Sequence, residues 1–168
     1  MATRHRDGSV LIGAPSEQVF AYVDDHEQLA SHMNESSWMM GGGRMVTVPD
    51  GRRGKAVGSR IRMSGTVFGM RLYLDEVVTL RTPPIEKAWE TVGTPRLLVI
   101  GPYEMGFHVR PEAGGTRLYV FIDYDVPQKW FGKVLGWMFG GFYARWCVRQ
   151  MLNGAARRFA APGRRLAA

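Results

Sequence analysis

The stretch Glu112–Pro127, EAGGTRLYVFIDYDVP, decides how the chain is read. Pro111-Glu112-Ala113-Gly114-Gly115 has the chemistry of a tight hairpin turn. From Thr116 to Val126 the side chains alternate. Leu118, Val120, Ile122 and Tyr124 share one face, and Tyr119, Phe121 and Asp123 share the other. That period of two marks a strand with one buried face. Pro127 ends it, because proline brings no N–H to a ladder. The chain beyond Pro127, to about Phe159, reads as one long helix with a broad apolar surface: Phe131, Val134, Leu135, Met138, Phe142, Trp146, Val148, Met151 and Leu152. The apolar face of a sheet must be covered, and this helix is the only element long enough to cover it.

Upstream of the hairpin the same period recurs. Leu97–Val109 reads as a long strand bulged at Gly101-Pro102, and Glu86–Val92 as another, with Trp89 among polar neighbours. Thr82-Pro83-Pro84 breaks the chain. Before it, Val57, Ser59, Ile61, Met63 and Gly65 alternate with polar residues; after a turn at Phe68-Gly69, Met70, Leu72 and Leu74 do the same. Val46–Val48 is a short strand ahead of the Pro49-Asp50-Gly51 turn. Ser9–Gly13 is the first strand. Pro15 then opens a helix with Ser16 as candidate N-cap, and a second short helix follows around Glu27–Met33. Asn34–Gly43 reads as a loop that nevertheless carries Trp38, Met39 and Met40.

The 168 residues suit one domain over residues 1–168, with an ordered core of about residues 8–159 and frayed basic termini. Hydrophobic residues at 45% and charged residues at 22% exclude disorder as the main description. The single cysteine, Cys147, excludes an internal disulfide and a cysteine-based zinc site, and it fits a reducing cytoplasm. Val10–Ile12 is too short an apolar run for a signal-peptide core. Trp130–Val148 is as long as a membrane span, but Lys133, Arg145 and four glycines favour a buried amphipathic helix. Twenty-two Lys and Arg against 15 acids give a net charge of +7. The excess is spread over Arg4, Arg6, Arg52, Arg53, Lys55, Arg157, Arg158, Arg164 and Arg165 without a nucleic-acid motif, so a solvated surface is expected. An anionic membrane surface fits that charge better than nucleic acid does.

The opening SVLIGAPSEQVFAYVDDHEQLA, from Ser9 to Ala30, resembles the first strand and paired helices of the START-like, helix-grip (SRPBCC, Bet v 1-like) superfamily, which includes the polyketide cyclase/dehydrase and lipid-transport proteins. EAGGTRLYVFIDYDVP resembles its penultimate strand, and Pro83-Pro84 followed by Trp89 its mid-sheet strands. The resemblance covers roughly residues 8–159. It implies an α+β fold, with a curved seven-stranded antiparallel sheet wrapped around a long C-terminal helix and two short helices after the first strand. It also implies a hydrophobic ligand cavity between sheet and helix.

Within such a cavity the expected lining is Ile61, Met63, Met70, Leu72, Leu74, Met105, Phe107, Leu118, Val120 and Ile122 from the strands, with Val134, Met138 and Phe142 from the helix. The ten methionines support an adaptable apolar site. Gly132, Gly136 and Gly140 form one helical stripe, whose cost of about 1 kcal/mol per residue requires the close approach of a neighbour or of ligand volume. The first expectation is binding or carriage of a lipid, fatty-acyl or polyketide-like ligand. The rival is a cyclase or dehydratase-like enzyme using Glu76, Glu90, Tyr103, Tyr124 and Arg145 as acid, base and anion-stabilising groups, without metal or cofactor. A third is an interaction module whose greasy helix docks on a membrane or on a second copy in a homodimer. His108 is expected to face out, and His26 and His32 carry no ligand pattern. Cytoplasmic location with peripheral membrane association completes the expectation.

Overall fold

The computed structural model describes residues 3–29, 44–67, 69–97, 99–127 and 130–160. Seven strands follow one another in a single antiparallel sheet. They are β1 (Arg4–Ile12), β2 (Arg44–Pro49), β3 (Arg60–Val67), β4 (Met70–Thr82), β5 (Glu86–Arg96), β6 (Tyr103–Glu112) and β7 (Gly115–Tyr124). Their spatial order is β1-β7-β6-β5-β4-β3-β2, so only β1 is placed out of sequence, on the far side of β7. Two short helices, α1 (Ser16–Asp24) and α2 (His26–Leu29), follow β1, and the long α3 (Trp130–Phe159) follows β7. This is the helix-grip architecture.

The alternation of β7 is realised along its whole length: Thr116, Leu118, Val120, Ile122 and Tyr124 are buried, and the residues between them are not. α3 packs chiefly on β1 and β7, while α1 sits on β6 and β7. Gly8 in β1 marks a close approach to α3, where a β-carbon would lie 2.9 Å from Leu152 and 3.2 Å from Val148. Gly136 and Gly140 of the glycine stripe on α3 serve packing. A β-carbon on Gly136 would meet Pro127 at 2.6 Å and the Val99 carbonyl at 2.9 Å, and one on Gly140 would meet the same carbonyl at 2.9 Å.

Several local expectations shift. β1 begins at Arg4, because its partner β7 offers ladder positions back to Tyr124. The N-cap of α1 is Pro15, and Ser16 Oγ instead sits 3.2 Å from Thr116 Oγ1. The expected bulged strand over residues 97–109 is broken: the ladder starts only at Tyr103, because Gly101 N–H donates to the Asp125 carbonyl and Asp125 N–H to the Pro102 carbonyl. The loop Asn34–Gly43, with His32, lies outside the described residues. Among the described residues no helix is long and apolar enough to cross a membrane.

Candidate functional site

Two hydrophobic clusters divide the interior. The larger joins β1, β6, β7, α1 and α3; the smaller comprises Ile61, Met63, Leu72, Leu74 and Val78 from β3 and β4. Leu97 and Tyr103 touch both. A narrow cavity of about 40 Å³ lies at this seam. Its walls are Met63, Leu74 and Glu76 from β3 and β4, Trp89 from β5, Tyr103 and Met105 from β6, and Ile122 from β7. His26 and Leu29 of α2, Tyr143, Cys147 and Met151 of α3, and Leu97 and Ile100 complete it.

Glu76 is the polar centre. On β4 it follows Leu72 and Leu74 at the inward parity and is 1% exposed. The Tyr103 hydroxyl donates to its Oε1. His26 Nε2 stands 3.0 Å from Oε2, yet the two are poorly aligned, and both Glu76 Oε2 and His26 Nδ1 lack a hydrogen bond. Unpaired polar atoms in an apolar enclosure are costly, so this pair stands ready to receive a polar group. The His26 ring meets Trp89 edge-on at 5.0 Å, which fixes the imidazole plane.

α2 brings His26 here. Asp25 Oδ1 accepts from the backbone N–H groups of Glu27 and Gln28 at 3.1 and 3.3 Å, and Gln28 Nε2 reaches back to Asp25 Oδ2 at 3.4 Å. That is a variant of the capping box, and it starts the helix at His26. The Asp25-His26-Glu27-Gln28 pattern was therefore the available signal for a residue that periodicity alone passes over.

Burial, with the Glu76 carboxylate beside it, holds the Tyr103 phenol well above its ordinary pKa, so the group remains an O–H donor. Burial likewise raises Tyr143, with Cys147 adding to the effect. The Cys147 thiol is pushed up to about 12 by burial, which makes it a wall rather than a nucleophile.

The structure brings together Glu76 and Tyr103 of the expected polar set and Met63, Leu74, Met105 and Ile122 of the expected lining. Ile61, Leu72, Phe107, Leu118 and Val120 are buried in the surrounding core. Tyr124 is buried too, but it packs under Gly140 and Gly141, with its hydroxyl unpaired. Glu90 is exposed, because its neighbours Lys87 and Trp89 take the inner side of β5. Arg145 is exposed, since Ala144, Cys147 and Val148 occupy the face of α3 turned to the sheet. Met70 is exposed at the start of β4, beside the Gly69 turn. Met138 and Phe142 are exposed, being rotated by roughly 200° and 120° from the Gly136 side of the helix. The side chain of Val134 lies outside the described residues. Among the described residues no group of three metal-ligating side chains occurs.

Two larger depressions are open to solvent. One, of about 600 Å³, lies over Ser64–Thr66, Arg71–Tyr73 and Arg96; the other, of about 840 Å³, lies around Gly13–Glu17 and Gly114–Thr116. Neither encloses a buried unpaired acid or base, so the enclosed seam is the candidate site.

A family profile described as polyketide cyclase / dehydrase and lipid transport matches residues 4–161. Comparison with curated protein sequences finds no significant match. Among solved structures, the chain is similar to a protein from Thermus thermophilus (18% identity, 93% of this chain and 97% of the other covered, TM-score 0.68). It is also similar to the Zhui aromatase/cyclase from Streptomyces sp. R1128 (16% identity, 96% and 99% covered, TM-score 0.65). Norcoclaurine synthase from Thalictrum flavum, solved with dopamine and hydroxybenzaldehyde, is a third (15% identity, 94% and 86% covered, TM-score 0.61). At these identities the likeness is one of fold.

Proposed function

Because the chain belongs to the polyketide cyclase / dehydrase and lipid transport family, we propose that it binds a small hydrophobic ligand, of lipid, fatty-acyl or polyketide-like character, at the seam between the two clusters. The observation that carries this reading is the Glu76–Tyr103–His26 group inside an apolar enclosure, where Glu76 Oε2 faces His26 Nε2 at 3.0 Å but neither Oε2 nor His26 Nδ1 has a hydrogen bond. A carbonyl or hydroxyl on the ligand satisfies what the protein leaves unsatisfied. A cavity of about 40 Å³ holds little more than one water, so a ligand enters by displacing side chains. Met63, Met105 and Met151 are the unbranched, soft groups that can move aside.

Two probes that differ by one hydroxyl test it. Trp89 is the fluorescent reporter, since it lines the cavity. Both naphthalene and 2-naphthol should change its emission, and Met105→Trp, which fills the seam, should abolish both responses. Tyr103→Phe and Glu76→Gln should weaken 2-naphthol by about fivefold and leave naphthalene unchanged. If the filled variant binds both probes as well as the unmodified chain does, the site lies elsewhere.

The same three groups support a second reading, cyclase or dehydratase-like chemistry. In this reading the Tyr103 O–H, which otherwise donates to Glu76 Oε1, turns to protonate a ligand oxygen, while Glu76 or His26 takes a proton from the adjacent carbon. Turnover of an aromatic β-ketoacyl thioester that survives Tyr103→Phe and Glu76→Gln with an unchanged pH profile would reject it.

A further inference from the structure

α3 is 30 residues long and contains no aspartate or glutamate. It carries five cations: Lys133, Arg145, Arg149, Arg157 and Arg158. An ordinary surface helix mixes signs and places acids near its N-terminus, where the macrodipole favours them. α3 does neither.

Its outward face is sorted along its length. Met138, Phe142, Arg145 and Arg149 succeed one another at i, i+4, i+7 and i+11, and so share one stripe. The N-terminal half of this face is apolar: Trp137 is 71% exposed, Met138 59%, Phe139 47% and Phe142 60%. Large apolar side chains grouped in this way mark a contact surface. The C-terminal half is cationic. Among the described residues no carboxylate pairs with Arg145 or Arg149. The inner side of the same helix contributes Tyr143, Cys147 and Met151 to the cavity wall.

We propose that this face of α3 docks on the surface of an anionic phospholipid bilayer, with Trp137, Met138, Phe139 and Phe142 immersed at headgroup depth and Arg145 and Arg149 on lipid phosphates. The charge favours this occupant. Two copies meeting through the face would bring cations to a helix that has no acid to receive them, whereas an anionic leaflet supplies the missing charge over the whole stripe. The outer rows of β1, β6 and β7, away from the helix, carry Asp7, Glu104, Glu112 and Asp123 against Arg110 and Arg117, an excess of acids that turns the helix side toward negative charge. Arginine and tryptophan suit an interface, since each keeps a polar tip in the headgroups and an apolar body below. The helix lies on the membrane and does not cross it, in keeping with its hydropathy. The proposal stands independently of the ligand reading above, and it would put the cavity wall one helix thickness from the lipid.

Flotation of the full chain with vesicles of phosphatidylcholine alone, or mixed with phosphatidylglycerol, tests it. The chain should float with the mixed vesicles at low salt, release at high salt, and stay behind with phosphatidylcholine. Arg145→Gln with Arg149→Gln should weaken binding about 25-fold, and Phe142→Gln about tenfold. All three substitutions are at exposed positions, and thermal melts matching the unmodified chain confirm that the fold is kept. Failure to float with anionic vesicles overturns the proposal. So does flotation that these variants leave unchanged, or a stable dimer in light scattering that Phe142→Gln dissociates.

Discussion

Lys87 buries its ammonium completely, and four contacts around Asp24 explain how. Nζ donates to the Asp24 carbonyl at 2.7 Å and lies 3.1 Å from Asp24 Oδ1; Arg81 grips the same carboxylate with Nε at 3.0 Å and Nη2 at 2.8 Å. Asp24 is the last residue of α1, so its carbonyl is one of the acceptors a helix end leaves over, and a cation there also suits the dipole. The arrangement ties α1 to β4 and β5. Lys87→Met should cost about 3 kcal/mol in urea unfolding, because the carbonyl and part of a buried carboxylate lose their partner. A loss within experimental error would show that the ammonium is dispensable. Burial pushes the Asp24 carboxyl up, but the hydrogen bonds and charge of Arg81 and Lys87 outweigh it and hold the group below its ordinary value. A carboxylate depressed in the fold stabilises above the unfolded pKa of about 3.9, and that contribution disappears as pH falls through the lower folded value. Asp24→Asn should therefore lower stability at neutral pH and flatten its acid limb; a limb of unchanged steepness would assign acid sensitivity to other groups. None of this was legible beforehand, since a lysine in an alternating strand reads as solvent-facing. Glu76 was legible because it continues the apolar register of Leu72 and Leu74, whereas Tyr103 was read only as a mid-strand residue. Glu90 misled because it is mid-strand but one residue from Trp89, and a shift of one residue reverses the face.

Among the elements, α3 shows how similar glycines in one helix carry different demands. A methyl group on Gly136 or Gly140 runs into the Val99 carbonyl, which is backbone, and Gly136 also meets Pro127. A methyl on Gly141 meets Arg6 Nη2 at 3.1 Å, the far end of a flexible side chain. The helix gains about 1 kcal/mol from each glycine replaced by alanine, and overpacking costs about 1–3 kcal/mol. Gly141→Ala should thus be neutral or mildly stabilising, whereas Gly136→Ala should be destabilising by roughly 1–2 kcal/mol in thermal melts. Equal effects at the two positions would contradict the contact account. The sequence pattern showed the stripe but left its partner open between a packed backbone and ligand volume. Deciding that required the path of residues 97–102, which the strand pattern drew as part of one strand bulged at Gly101-Pro102 and which backbone bonds to Pro102 and Asp125 actually turn aside. Helix and strand identities were readable because each carries many periodic side chains; the break was not, because it rests on two backbone hydrogen bonds.

For the whole molecule, the two clusters define unequal halves. β1, β7, β6, α1 and α3 share the larger core, while β3 and β4 close the smaller one, with β2 at the sheet edge exposing Val46 at 60% and Val48 at 57%. The succession of elements was foreseeable from the strand signals and one long helix; the seam was not, since strand parity treats every inward residue as facing one common core. Regions with fewer buried apolar contacts open at lower free energy than the global transition. Amide exchange should therefore show β2 and β3 opening sub-globally, ahead of the β1–β7–α3 half. Because the candidate site lies where the halves meet, 2-naphthol should slow exchange in β3 and β4 and in α2, which contributes His26, while leaving the β1–β7 ladder near its original protection. The filled Met105→Trp variant should show no such change on adding the probe. Uniform protection across all seven strands would mean that the sheet and helix open as one unit, and a ligand could then enter only through global unfolding.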